Sequence, residues 1–280
     1  MIKMEKKIPF SKMHGAGNDF IVIDDMDETF KSSPAMISAL CDRHFGIGGD
    51  GLILVQPSED ASFRMVYYNN DGSRAEMCGN GARCAAKFAF DNSIINEYFE
   101  FETDSGIIEG KIGKGKVTIS LGDVSGVKLN IDIGEVAPEF SFALAGVPHA
   151  VLISDNAREI SRKDFLSIIS PVRYNHMFEP HGTNVNIVKV INKNYIFYRT
   201  YERGVEDETL ACGTGAVAIA VITSHLGMTE SPVSCETSGG DVLTVSFDKT
   251  DSGAQNCLLS GPAVESFSGH YSADHYRRLL

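Results

Sequence analysis

No run of apolar residues in this chain approaches the ~20 needed to cross a bilayer as a helix, so a helical membrane partner is not expected. Cationic residues are in deficit. Only 25 Lys and Arg stand against 37 Asp and Glu, a formal net charge of −12. A protein that binds by neutralising phosphates needs the opposite balance, so nucleic acid is excluded as an expected partner. The opening MIKMEKKIPF is basic but lacks the apolar core and small-residue cleavage site of a secretory signal, which makes the cytoplasm the expected compartment. There are six cysteines but no Cys-x-x-Cys pair and no zinc-finger pattern. They read as thiols of a reducing compartment, with no metal site expected.

The 280 residues are 43% hydrophobic and 22% charged, the balance of a soluble globular protein. A chain of this length is near the upper limit for one core, whereas two units of about half the length would each be ordinary domains. Most of it reads as strands. FIVIDD (20–25), GLILVQ (51–56), FRMVYYN (63–69) and YFEFET (98–103) are β-rich runs bounded by Gly, Asn and Asp. KVTISL, VKLNIDI, FSFALAG, NVNIVKV, YIFYRTY, VLTVSF and NCLLSG continue the pattern. PAMISALCDRHF (34–45) reads as a helix with Pro at its start, and SRKDFLSIIS (161–170) as one opened by a capping box.

Two further helices carry the most information. EMCGNGARCAAK (76–87) and LACGTGAVAIAV (210–221) both place a cysteine, Cys78 or Cys212, before Gly-x-Gly-Ala and an apolar run. The segments GARCAAKFAF and GAVAIAVITSHLG are apolar nearly all the way round, so each must be wrapped on every side. The expected architecture is therefore α/β (α+β), with two pseudo-symmetric domains, each a curled and mostly antiparallel sheet around a central buried helix. The expected division is residues 1–125 plus about 264–280 against 126–263. GIGGDG (46–51) matches the dinucleotide pattern literally, but it follows a helix and leads into a strand, the reverse of the order such a site requires.

A cysteine where a loop turns into a buried helix faces unpaired N–H donors and glycine backbone that a ligand can approach closely. That environment suits a carboxylate and favours thiolate over thiol, by ~0.3–1 kcal/mol per helix terminus. Two such groups make a matched acid and base: one thiolate removes a proton and one thiol returns a proton to the opposite face, inverting a carbon. Cys41, Cys84, Cys235 and Cys257 lack the repeated context and read as small core residues.

KMHGAGNDFIVID (12–24), RHFGIGGDGLILV (43–55), YNNDGSRAEMCGNGARC (68–84), GVPHAV (146–151), GTNVNIV (182–188) and YERGVEDETLACGTGA (201–216) resemble, in order, the motifs of the diaminopimelate epimerase family. The resemblance covers essentially the whole chain. It implies a cofactor-independent epimerase, with no pyridoxal, that interconverts LL- and meso-diaminopimelate for lysine and peptidoglycan biosynthesis. By the same resemblance the site lies in the cleft between the domains, and the protein is a homodimer. Cys78 and Cys212 are implied as the two bases, and Gly79, Asn80, Gly213 and Thr214 as backbone donors to the reacting carboxylate. Asn18, Asn69 and Asn184 match polar substrate contacts, and Arg203 a bidentate contact to the distal carboxylate. Glu202 and His149 match the polar partners that tune or relay protons beside the cysteines.

Two positions depart from the pattern. Many members have Asn where this chain has Val147, and some have Gln where it has Gly51. The first change removes a hydrogen bond to the distal carboxylate and predicts weaker discrimination against shorter amino acids such as glutamate. Rival readings are a proline-type racemase or ring-forming isomerase of the same superfamily, a thiol hydrolase using Cys78 with His149, and an idle binding protein. A proline-type enzyme would lack YERG and the asparagine set. The hydrolase and the binding protein would leave the second cysteine motif without a use.

Overall fold

The computed structural model describes residues 7–75, 77–132, 139–180 and 182–272. Glu76 of the first cysteine motif, the last residue of VKLNIDI and the tail beyond Ser272 lie outside them. The chain divides into two compact units, residues 1–119 with 262–280, and residues 120–261.

In the first unit, strands β1 (Lys7–Gly15) and β2 (Asn18–Asp24) form a hairpin. Its two-residue turn has φ of 56° at Ala16 and 87° at Gly17, the double left-handed geometry that matches the twist of paired strands. The chain crosses through helix α1 (Pro34–Cys41) and returns as β3 (Gly51–Gln56), parallel to β2. Strand β4 (Arg64–Asn69) runs antiparallel to β3 and carries the short β5 (Arg74–Ala75). Helix α2 (Gly79–Asp91) then leads to β6 (Tyr98–Thr103), parallel to β4, and to the antiparallel β7 (Gly106–Gly113) and β8 (Lys116–Ser120).

The second unit repeats this order. Strands β9 (Val124–Ile131), β10 (Phe140–Ala145) and β11 (Val147–Ile153) are antiparallel neighbours. After helix α3 (Arg162–Arg173), β12 (Asn184–Asn192) lies parallel to β11, and β13 (Tyr195–Glu202) is antiparallel to β12 and carries β14 (Asp207–Thr209). Helix α4 (Gly213–His225) leads to β15 (Val233–Glu236), parallel to β13, then to the antiparallel β16 (Val242–Lys249) and β17 (Ala254–Gly261). Ala254 of β17 pairs with Val124 of β9, closing the sheet on itself. In the first unit the place of β9 is taken by the last strand of the chain, β18 (Val264–Ser272), antiparallel to β1.

Each sheet has a helix on either face. Helix α2 packs on β1 to β4, and α4 on β9 to β12 and β15 to β17. In α4 every residue from Gly213 to Ser224 except Thr214 is buried, the burial its all-round apolar sequence requires. On the outer faces, Ile37 and Leu40 of α1 meet Ile21, Ile23, Leu52 and Leu54, while Phe165 and Ile169 of α3 meet Leu152, Val185 and Ile187. Strands covered on both faces read as unbroken apolar runs, which explains FIVI and LILV.

Two helix ends differ from the sequence expectation. Helix α1 stops at Cys41 because the Asp42 carboxylate takes the N–H groups of His44 and Phe45, each at 2.7 Å. Helix α3 continues through Pro171 to Arg173, since burial of Val172 and Arg173 outweighs the missing proline donor. The capping box at its start is present: Ser161 accepts from the Asp164 N–H at 3.1 Å.

Candidate active site

Both cysteines of the repeated motif are N-cap residues. Cys78 has φ −136° and ψ 122° before α2, and Cys212 has φ −121° and ψ 113° before α4. Neither side chain makes a capping hydrogen bond to its helix backbone, unlike the Ser, Thr or Asp usual at this position. Gly79 and Asn80, and Gly213 and Thr214, occupy the first turns of α2 and α4, where a helix terminus favours an anion.

In the first unit the β1–β2 turn delivers Asn18 to Cys78. The Cys78 thiol donates to Asn18 Oδ1 at 3.5 Å, and Asn80 Nδ2 donates to the same oxygen at 3.2 Å. Asn18 Nδ2 donates in turn to Asp50 Oδ2 at 2.7 Å. Behind Asn80 stands Arg83, fully buried in α2, which donates to Asn80 Oδ1 at 2.8 Å and to the Gly79 carbonyl at 3.1 Å. The loop holding Asp50 is tied down by charge. Arg43 bridges Asp19 and Asp50, and Lys12 joins Asp19 at 2.5 Å and also bonds the Gly48 carbonyl. Burial works to raise the Asp19 carboxyl, but bonds from Arg43 and Lys12 hold it well below the ordinary carboxylate range. GIGGDG is thus a structural loop whose last acid serves Asn18.

In the second unit Cys212 Sγ lies 3.5 Å from Thr214 Oγ1, which lies 3.1 Å from His149 Nε2. His149 is fully buried on β11, and burial, reinforced by the positive charge of Arg203, pushes its pKa down to about 3. It is a neutral imidazole at any physiological pH. Its other nitrogen is 3.2 Å from Asn186 Nδ2, and Thr200 donates to Asn186 Oδ1 at 2.8 Å. A side chain at Gly215 would press to 2.8 Å from that Asn186 oxygen, so the second glycine of the motif is what lets β12 approach. The Tyr198 hydroxyl, held protonated by burial, donates to the Cys212 carbonyl at 2.9 Å.

The remaining candidates group differently. Asn184 Oδ1 accepts from the Arg203 backbone N–H at 2.8 Å, which fixes the start of the YERG turn. The Arg203 guanidinium has no carboxylate within ion-pair distance among the described residues. Glu202 accepts from the Thr209 hydroxyl at 2.6 Å across the β13–β14 pair. Asn69 serves its own turn: its amide donates to Ser73 Oγ at 3.1 Å. Gly51 stands where a Cβ would come within 2.6 Å of the Tyr67 ring, so in this chain the tyrosine fills the space a longer residue would need. Asp50, Arg83, Asn186 and Thr200 were not among the sequence candidates. Nothing in a single sequence separates Asn186 from any polar residue of a strand, whereas Asp50 stood within a recognised motif.

The other four cysteines are set apart by their surroundings. Burial pushes the Cys41 and Cys84 thiols up to about 12 and Cys257 to about 11, and raises Cys235 further still. These are inert at neutral pH.

The fold is that of two-domain racemases and isomerases. It matches a hydroxyproline epimerase from Agrobacterium vitis with a TM-score of 0.71 at 14% identity, covering 98% of this chain and 94% of that one. A methylitaconate-delta-isomerase matches with a TM-score of 0.68 at 13% identity, covering 99% and 98%. Within that fold the sequence is more specific. The family model for diaminopimelate epimerase matches residues 10–127 and 141–262. The diaminopimelate epimerase of Aquifex aeolicus (strain VF5) is 37% identical over 95% of this chain and 98% of its own. That of Archaeoglobus fulgidus is 39% identical over 94% and 96%. The chain belongs to the diaminopimelate epimerase family.

Proposed function

We propose that this protein is an isomerase that interconverts LL- and meso-diaminopimelate by a two-base transfer at the α-carbon, serving lysine and peptidoglycan biosynthesis. The observation that supports the reading is the pair of cysteines at matching N-caps, each free of a capping bond to its helix backbone and engaged by a different polar side chain. One thiolate takes the α-proton while one thiol delivers a proton to the opposite face. The substrate carboxylate at the reacting end accepts from the first-turn N–H groups of α2 and α4, which also stabilise the carbanion as charge moves onto that carboxylate. Arg203, a cation without a carboxylate partner among the described residues, takes the distal carboxylate, and Asn184 fixes the backbone that presents it. His149 is too deeply buried to carry charge and acts as a neutral hydrogen-bond partner of Thr214.

The reading assigns no cofactor and no metal, because two thiols supply both proton transfers. It assigns a cytoplasmic homodimer without nucleic-acid or membrane partners, in keeping with the net charge of −12. No helix among the described residues is long and apolar enough to cross a membrane. Val147, in place of an asparagine, removes one amide from the distal end, and measurable α-proton exchange with glutamate is expected. The test is incubation of the reduced protein with pure LL-diaminopimelate, followed by chiral chromatography. Appearance of the meso isomer supports the reading; LL-diaminopimelate recovered unchanged overturns it.

A further inference from the structure

The hydrogen bonds around the two thiols have opposite polarity, and their directions follow from groups that can only accept. The Ala150 carbonyl is one such group. It lies 3.0 Å from one terminal atom of Asn186, which must therefore be the amide nitrogen. That nitrogen is also 3.2 Å from His149 Nδ1, so Nδ1 accepts and bears no proton. The far end of the amide, Oδ1, accepts from Thr200 at 2.8 Å and cannot turn without losing both contacts. The neutral imidazole then carries its single proton on Nε2, facing Thr214 Oγ1 at 3.1 Å. Thr214 accepts that hydrogen bond, which leaves its own hydroxyl hydrogen available to Cys212 Sγ at 3.5 Å. A donor aimed at sulfur favours the thiolate.

Around Cys78 the chain runs the other way. The Asp50 carboxylate, paired with Arg43, only accepts, so Asn18 presents its amide nitrogen to Asp50 and its oxygen to Cys78. A carbonyl oxygen cannot donate. The Cys78–Asn18 hydrogen bond exists only while Cys78 keeps its proton. The other titratable or charged groups nearby are Tyr198, Glu202 and Arg203 on the Cys212 side, and Arg83 and buried Cys84 on the Cys78 side.

We propose that Asn186 and Thr200 are positioning residues that set the direction of this chain, and that the ligand-free enzyme rests with Cys212 as the thiolate base and Cys78 as the thiol acid. The proposal deepens the two-thiol reading and rests on it. It is tested by limiting iodoacetamide on the reduced, substrate-free protein near neutral pH, with peptide mass mapping of each cysteine. Cys212 is buried at 6% exposure and Cys78 is more exposed, so access alone predicts that Cys78 reacts first. The proposal predicts Cys212 first, by about tenfold, the thiolate ratio that one unit of difference in ionisation provides. Thr214→Val is expected to bring the ratio to parity and Thr214→Ser to preserve it. Thr200→Val is expected to lower it several-fold, with Thr200→Ser restoring it. Equal rates or Cys78 first in the unmodified protein, or a ratio insensitive to Thr214→Val, would overturn it. α-Proton exchange with diaminopimelate, run in parallel, separates the two ideas. Exchange without labelling order sinks the resting-state assignment alone, and labelling order without exchange sinks the epimerase reading.

Discussion

Cys78 and Cys212 cap their helices with closely similar backbone torsions, φ −136° and ψ 122° against φ −121° and ψ 113°, yet their sulfurs meet different partners. Cys78 faces the oxygen of Asn18, and Cys212 the hydroxyl of Thr214. The repeated motif reproduces the helix terminus twice; the strands around it supply the chemistry that distinguishes the two copies.

Each thiol is expected to be indispensable. Cys78→Ala and Cys212→Ala should each lower epimerisation by ~10²–10⁴-fold, the usual contribution of a positioned acid or base. Stereoisomer formation from LL-diaminopimelate measures this, and the two variants should unfold close to the parent temperature.

Acid should weaken the second unit through His149. Its folded pKa of about 3 lies below the ordinary 6.5, so between these values the unfolded chain binds the extra proton. Stability contributed by the neutral ring is fully present above about 6.5 and is lost progressively as pH falls toward about 3, at up to ~1.4 kcal/mol per unit. Urea unfolding across this range should show that slope in the parent and a flatter one in His149→Gln.

Only two of the six cysteines should react with excess iodoacetamide in the native, reduced protein. Cys41, Cys84 and Cys257 are pushed to about 11 or 12 by burial, and Cys235 is raised more. Intact mass should reveal two adducts, mapping to Cys78 and Cys212, with the other four cysteines labelled only after unfolding, for six in all.

Distal recognition should depend on Arg203. Removing a charge-assisted hydrogen bond of this type costs ~1.5–3 kcal/mol, so Arg203→Met should lower kcat/KM for diaminopimelate by roughly ten- to a hundredfold. Val147→Asn should act in the opposite sense on selectivity, reducing glutamate exchange relative to diaminopimelate.

The repeated architecture was readable because its determinants are local. An N-cap cysteine, a tight glycine pair and an all-round apolar helix leave a periodic trace, and strands buried on both faces leave unbroken runs such as LILV. Helix ends were less readable where a local side-chain turn or tertiary burial decides them, as with the Asp42 side chain ending α1 and the buried Val172 carrying α3 past Pro171. The residues behind the thiols were the least readable. Asn186 reaches His149 from a neighbouring parallel strand, and Asp50 reaches Asn18 through a loop, so their roles exist only once β11 pairs with β12 and β2 with β3. Asn69 shows the converse, a motif residue whose side chain is engaged by its own turn.

The most direct test of the central claim is solvent labelling at early times. Pure LL-diaminopimelate is treated with reduced enzyme in D₂O, and the α-protons of both isomers are followed by proton NMR. With two bases, the meso product carries deuterium at the inverted carbon from the first turnovers while the remaining LL substrate stays protiated. Product that retains the substrate's proton, or substrate that exchanges before any inversion, would contradict it.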